Sequence, residues 1–343
     1  MFDLNNIIRE NIKKMEPYST ARDEYKGSEG VFLDANESPF NTGLNRYPDP
    51  HHTELKKIFS QLKKVQPENI LSGNGSDEII DLIYRVFCEP GLHNVIILPP
   101  TYGMYKVAAQ INNVEVKEVC LNEIFQPDAE KIFSEINENT RIVFFCSPNN
   151  PTGNIINKEA IKTVLKKFKG IVVVDEAYID FCEEHSWLKE LTNYPNLIIM
   201  QTFSKAWGMA GIRLGAMFAS SSVVEVLHKI KHPYNINILT QRVALQALQN
   251  KNQKGAWVKA IVSQKEIMQK VLETLPFTEK VYPSDANFLL VKFLDSEKIF
   301  THLLEQKIIV RNRSNVQLCS GCLRISVGTM DENLKLLEVL KNF

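Results

Sequence analysis

Between residues 69 and 219, short and almost unbroken apolar runs recur at the spacing of one strand plus one helix: 94–98, 114–119, 141–146, 171–174, 197–200 and 214–219. Most are too short for helices and too continuous for strands with one wet face, which is the pattern of central strands covered on both sides. The segments between them are amphipathic. Ile161, Val164, Leu165 and Phe168 fall at i, i+3, i+4 and i+7, with Lys162, Lys166 and Lys167 turned outward. Ile79, Ile80, Ile83, Val86 and Phe87 form a second stripe behind Ser76, read as the N-cap, with Asp77 and Glu78 in the first turn. Strand–helix alternation of this kind predicts an α/β domain around a largely parallel sheet. After about residue 230 the texture changes. An amphipathic stretch at about 236–275 reads as one or two helices, followed by apolar runs at 288–291, 308–310 and 324–327, a helix near 296–306 and a closing helix from about Asp331. The expected division is an N-terminal arm (1–28), a large α/β domain (29–235), and an interdomain helix with a small α+β domain (236–343).

Composition narrows the function classes. Lys plus Arg equals Asp plus Glu, 40 against 40, which argues against nucleic acid or an anionic membrane as partner. No apolar run approaches the ~20 residues of a membrane span, and the N-terminus lacks the basic start and apolar core of a secretory signal. Cys88, Cys120 and Cys146 lie at or near the ends of apolar segments, which suits buried thiols in a reducing cytoplasm. Cys319-Ser320-Gly321-Cys322 has redox or zinc spacing, but no second pair or nearby histidine completes a site, so no metal is expected.

Ligands of open α/β sheets bind beyond the carboxyl ends of the strands, and five such ends carry polar or aromatic groups here. Ile70-Leu71 leads into Ser72-Gly73-Asn74-Gly75-Ser76-Asp77, a glycine turn that opens a helix and offers backbone N–H groups to an anion. The next ends carry Pro99-Pro100-Thr101-Tyr102-Gly103-Met104-Tyr105, then Ser147-Pro148-Asn149-Asn150-Pro151-Thr152-Gly153, then Asp175-Glu176-Ala177-Tyr178. The last carries Thr202-Phe203-Ser204-Lys205-Ala206-Trp207, running on to Arg213. Each alone has a plainer reading as turn, cap or packing residue. In order and together they match the needs of pyridoxal 5'-phosphate. An aldehyde needs an amine, here Lys205, expected to be buried. A pyridine nitrogen stays protonated beside a carboxylate such as Asp175. Asn150 and Tyr178 can donate to the ring oxygen, and Tyr102 can stack on the ring. The phosphate would take backbone N–H groups of Gly75, Ser76 and Asp77, the hydroxyls of Thr202 and Ser204, and the charge of Arg213. The carboxylates of Asp77 and Glu78 must then turn away from it.

On Ser147 to Gly153, Asp175 to Tyr178 and Ser204 to Arg213, the chain resembles the fold-type I, aspartate-aminotransferase-like pyridoxal-phosphate enzymes, which implies a large, mostly parallel seven-stranded sheet domain and a smaller α+β domain. Pro17-Tyr18-Ser19-Thr20-Ala21-Arg22, Leu33 to Pro39, Arg46-Tyr47-Pro48-Asp49-Pro50, Arg311 and Ser320 to Thr329 make it similar to the histidinol-phosphate aminotransferase family. That resemblance implies transamination between L-histidinol phosphate and 2-oxoglutarate, giving imidazole-acetol phosphate and glutamate in histidine biosynthesis. It implies Lys205, Asp175 and Tyr178 as catalytic groups. Arg324 would clamp the substrate carboxylate with Asn36 and Asn150, and Arg311 with Tyr18 would hold the substrate phosphate. Tyr47 would reach the cofactor phosphate of a neighbouring subunit in a homodimer. Arg313 competes with Arg311, and Asn312 stands where the family has an acidic residue. A threonine-phosphate decarboxylase, an aromatic aminotransferase and a non-catalytic regulatory module on this fold are the alternatives.

Overall fold

The computed structural model describes residues 2–20, 25 and 30–343. Ala21 and Arg22 of the arm motif, and the expected boundary between residues 28 and 29, lie outside the described residues.

The large sheet contains β1 (Ile70–Asn74), β2 (Asn94–Ile97), β3 (Glu115–Glu118), β4 (Thr140–Cys146), β5 (Ile171–Asp175), β6 (Leu197–Thr202) and β7 (Leu214–Phe218). Their order is β1-β7-β6-β5-β4-β2-β3. Strands β2 to β6 run parallel, whereas β7 is antiparallel to both neighbours, β1 and β6. The seven-stranded, mostly parallel expectation therefore holds. The continuous apolar runs follow from two-sided burial: Phe145, Val174 and Ile199 pack into the core on one face, while Phe144, Val173 and Met200 pack into the core on the other, the period-2 alternation of strands. β3 differs from the central strands. It is the sheet's edge, with Glu115 and Glu118 exposed, and charges on an edge discourage further pairing.

A second sheet of β8 (Thr278–Val281), β9 (Phe288–Phe293), β10 (Arg311–Asn312) and β11 (Cys322–Ser326) has the order β10-β11-β9-β8 and is antiparallel throughout. Its core includes Leu289, Val291, Leu323 and Ile325 with Met268, Leu303 and Leu337 from helices Lys251–Glu273, Ser296–Glu305 and Met330–Lys341. Thr329 and Glu332 close a capping box on the last helix. Three details correct the sequence reading. The run 308–310 is not a strand, and pairing begins only at Arg311: Ile308 and Val310 pack on the small core, but the Ile308 N–H donates back to the Leu303 carbonyl at 2.8 Å rather than to a neighbouring strand. β8 carries no apolar run, since only Val281 of its residues is buried. The helix after β1 spans Gly75–Phe87, so Ser76 is its second residue and Asn74 its N-cap, without a side-chain cap bond. Among the described residues no helix is long and apolar enough to cross a membrane.

Because β1 and β6 are each antiparallel to β7, they are parallel to one another. The carboxyl ends of β1, β2, β4, β5 and β6 therefore meet at one edge of the sheet.

Candidate active site

At that edge lies a cavity of about 470 Å³ lined by side chains from all five strand ends and from the small sheet. It brings together Ser76, Asp77, Tyr102, Asn150, Asp175, Tyr178, Thr202, Ser204, Lys205, Arg213, Arg311 and Arg324.

Asp175 is the last residue of β5 and is 2% exposed. Its Oδ1 accepts from the backbone N–H of Ala177 at 3.1 Å, and its Oδ2 accepts from the phenol of Tyr105 at 2.7 Å. Burial pushes its pKa up to about 6, against the opposing pull of these two donors. Lys205 was expected to be buried, but the residue is exposed because it stands in an open cavity. Its amine is nevertheless held below the ordinary lysine range, first by partial desolvation and then by the positive Arg324 and Arg213. The Nζ lies 5.6 Å from the Tyr178 ring centroid. Burial raises the Tyr178 phenol to about 12, keeping it a donor at neutral pH.

At the opposite end of the cavity the backbone comes unusually close. Gly75 has φ +71°, and a Cβ there would lie 2.7 Å from Arg213 Nη2. A Cβ on Gly215 would lie 2.6 Å from the Ser76 nitrogen. At Gly215 the close atoms are backbone and only glycine fits, while at Gly75 the positive φ favours glycine and a side chain would displace Arg213. The Thr202 and Ser204 hydroxyls are 3.0 Å apart beside it. Glu78 turns away as expected, accepting from the Asn74 N–H at 2.5 Å and Asn235 Nδ2 at 2.9 Å. Asp77 does not. Its carboxylate faces the cavity, accepting from Tyr102 Oη at 3.1 Å and Arg213 Nη2 at 3.2 Å, because both donors flank the first turn of the helix. An amine, a carboxyl, a glycine cradle with two hydroxyls and a guanidinium make a donor set that fits pyridoxal phosphate.

The small sheet closes the cavity with cations. Arg311 and Arg324 are directly paired across β10 and β11, and residues directly opposite share a sheet face. Arg324 donates from Nη1 to Asn150 Oδ1 at 2.5 Å, and its guanidinium lies 5.2 Å from the Phe288 ring centroid. The Nε atoms of Arg324 and Arg313 are buried without a hydrogen-bond partner. Asn312 points to the other face and donates to Glu297 Oε2 at 3.0 Å.

Tyr18, Asn36 and Tyr47 do not line this cavity. Tyr18 is 72% exposed and borders a separate groove with His51 and Lys231. Asn36 is exposed with φ +54°, and Tyr47 stacks on Tyr234 at 4.5 Å. Sequence reasoning missed Cys146, Ala177 and Ala210 in the lining, and Tyr105 behind Asp175. Tyr105 shares the buried face of helix Met104–Ile111 with Ala108 and Ala109, so nothing local separates it from a core aromatic. Cys319 and Cys322 are buried free thiols, raised to about 12 and about 11 by desolvation.

Residues 29–340 match the family described as aminotransferase class I and II. A histidinol-phosphate aminotransferase of Flavobacterium psychrophilum is 53% identical over 342 residues, 99% of each chain. The crystal structure of the histidinol-phosphate aminotransferase from Clostridium acetobutylicum superposes with a TM-score of 0.80 at 29% identity, covering 88% of this chain and 91% of that one. That of Sinorhizobium meliloti, in complex with pyridoxal-5'-phosphate, has the same fold, with a TM-score of 0.80 at 22% identity over 90% of each chain.

Proposed function

The chain belongs to the class I and II aminotransferases and, within them, to the histidinol-phosphate aminotransferase family, and on that premise we propose that it exchanges the amino group of L-histidinol phosphate with 2-oxoglutarate, forming imidazole-acetol phosphate and glutamate in histidine biosynthesis. The observation that carries this reading is the convergence of Lys205, Asp175 and Arg324 on one cavity.

Pyridoxal phosphate, when bound, supplies an aldehyde for amine exchange and a protonated ring that draws electron density from the substrate's α-carbon. Asp175 holds the proton on the ring nitrogen. Asn150 and Tyr178 would donate to the ring oxygen, and Tyr102 would supply a stacking face. Gly75, Ser76, Asp77, Thr202, Ser204 and Arg213 hold the phosphate end, with Arg213 shared between that phosphate and Asp77. Lys205 would hold the aldehyde through its amine. Its amine, with a lowered pKa, would then move a proton between the substrate α-carbon and the cofactor's aldehyde carbon.

Arg324, with one edge held by Asn150, meets the α-carboxylate of glutamate. Histidinol phosphate has no carboxylate, and Arg311 meets its phosphate. Tyr18, Asn36 and Tyr47 lie on surface away from this subunit's cavity and are assigned to a site shared across a homodimer. Exposed Val31, Leu33 and Phe40 in the same segment give that segment an apolar surface to bury. The large domain (29–235) carries the cofactor, and the small one (236–343) the substrate arginines. The enzyme is assigned to the cytoplasm.

The test is a half-reaction. Holoenzyme mixed with L-histidinol phosphate alone should lose its visible cofactor absorbance, and 2-oxoglutarate should restore it with formation of glutamate. Release of carbon dioxide, or equal turnover of phenylalanine, would overturn the substrate assignment.

A further inference from the structure

A second cleft of about 500 Å³ adjoins the first, and the two share one wall: Tyr102, Asn150 and Arg313. Its lining contains three charged side chains, Lys106, Glu118 and Arg313. Lys106 is neutralised by Glu118, 2.7 Å away. Arg313 is not neutralised: among the described residues no carboxylate pairs with it, and its Nε is buried without a partner. The cleft thus carries one uncompensated cation at its boundary with the cavity that holds Lys205.

The backbone explains the placement. The Arg313 N–H donates to the Cys322 carbonyl at 2.9 Å, which extends the β10–β11 ladder by one residue. Arg311 and Arg313 therefore project from the same sheet face at an i, i+2 spacing of roughly 7 Å, with Arg324 opposite Arg311. Arg324 and Arg311 face the Lys205 cavity alone, while Arg313 faces both cavities. Two cationic positions separated by one strand repeat suit a ligand with an anion at each end of a short chain, and unpaired guanidiniums are suited to carboxylates.

We propose that Arg313 and the adjoining cleft form a subsite for the distal carboxylate of the dicarboxylate substrate, while Arg324 holds its α-carboxylate. The dicarboxylate assignment rests on the reading given under Proposed function. Arg313 is then a specificity residue for one half of the exchange, distinct from the phosphate-binding task of Arg311.

Glutarate, an unreactive five-carbon dicarboxylate, and butyrate, its monocarboxylate counterpart, test the subsite by titration calorimetry on holoenzyme, whatever reaction the enzyme runs. Wild-type protein should bind glutarate at least roughly tenfold more tightly than butyrate, and Arg313→Gln should abolish that preference. Equal binding of the two acids by wild type, or a preference that survives in Arg313→Gln, overturns the proposal. In half-reactions, Arg313→Gln should lose roughly ten- to a hundredfold more in kcat/KM with glutamate than with histidinol phosphate, and Arg313→Lys should recover part of that loss. Equal losses on both sides would return Arg313 to a general or structural role. Absence of the histidinol-phosphate half-reaction in wild type would instead sink the substrate reading and leave the glutarate result to decide the subsite.

Discussion

The phenol of Tyr105 donates to Asp175 Oδ2 at 2.7 Å, and the tyrosine is fully buried. The bond links the helix after β2 to the end of β5 and favours the ionised carboxylate that burial opposes. Removing the hydroxyl in Tyr105→Phe deletes a bond to a charged group, about 1.5–3 kcal/mol, and so raises the Asp175 pKa further. The expected result is a several-fold lower kcat at pH 7 and an acid limb displaced upward by about one to two pH units, read from a pH–rate profile. An unmoved limb would remove Tyr105 from the site.

Asp175 and Glu176 are both buried carboxylic acids with raised pKa values, about 6 and about 7. Between the unfolded and folded pKa values the native state binds more protons than the unfolded chain, so these groups favour folding at low pH and their contribution is lost as pH rises from about 4 through 7. Glu176 accepts from the Trp187 N–H, Ser186 Oγ and Gln201 Nε2 at 2.5, 2.8 and 2.8 Å. Glu176→Gln keeps an acceptor but removes the titration. It should flatten the fall in urea stability of the cofactor-free protein between pH 5 and 8 by roughly 1–3 kcal/mol. An unchanged slope would show that Glu176 keeps its ordinary pKa.

Lys205→Ala should abolish turnover and the visible cofactor absorbance together. Asp175→Asn should retain cofactor, measurable by equilibrium dialysis, and lose at least about a hundredfold in kcat, because an amide does not hold the ring proton. Full activity in either variant contradicts the assigned roles.

Gly75→Ala places a Cβ 2.7 Å from Arg213 Nη2 at φ +71°. The strain, about 1–3 kcal/mol, should appear as a lower Tm, and displacement of Arg213 as roughly tenfold weaker cofactor binding. Wild-type affinity in this variant would detach the cradle from the phosphate.

Leu33 and Phe40 are 88% and 78% exposed, more apolar exposure than one short segment ordinarily presents to water. Leu33→Asp with Phe40→Asp should convert a dimer to a monomer in sedimentation velocity and reduce activity with it. A wild-type protein that already sediments as a monomer would end the shared-site assignment.

Lys205, Asn150 and Asp175 were legible in the sequence because each sits in a short motif at the end of an apolar run, and strand direction alone sends such ends to one edge of a parallel sheet. The alternation that builds that sheet was legible for the same reason: burial on both faces leaves a continuous apolar signature. Tyr105 was not, because its partner is 70 residues away and its own helix marks it only as core. The turn of Asp77 toward Arg213, which is 136 residues distant, the openness around Lys205, and the second cleft at Arg313 depend on how two sheets meet. The same holds for the placement of Tyr18, Asn36 and Tyr47 outside the cavity. Local pattern determined which chemistry the strand ends carry. Only the packing of one sheet's edge against the other decided which side chains share a space, because those distances are set by contacts between residues far apart in the chain.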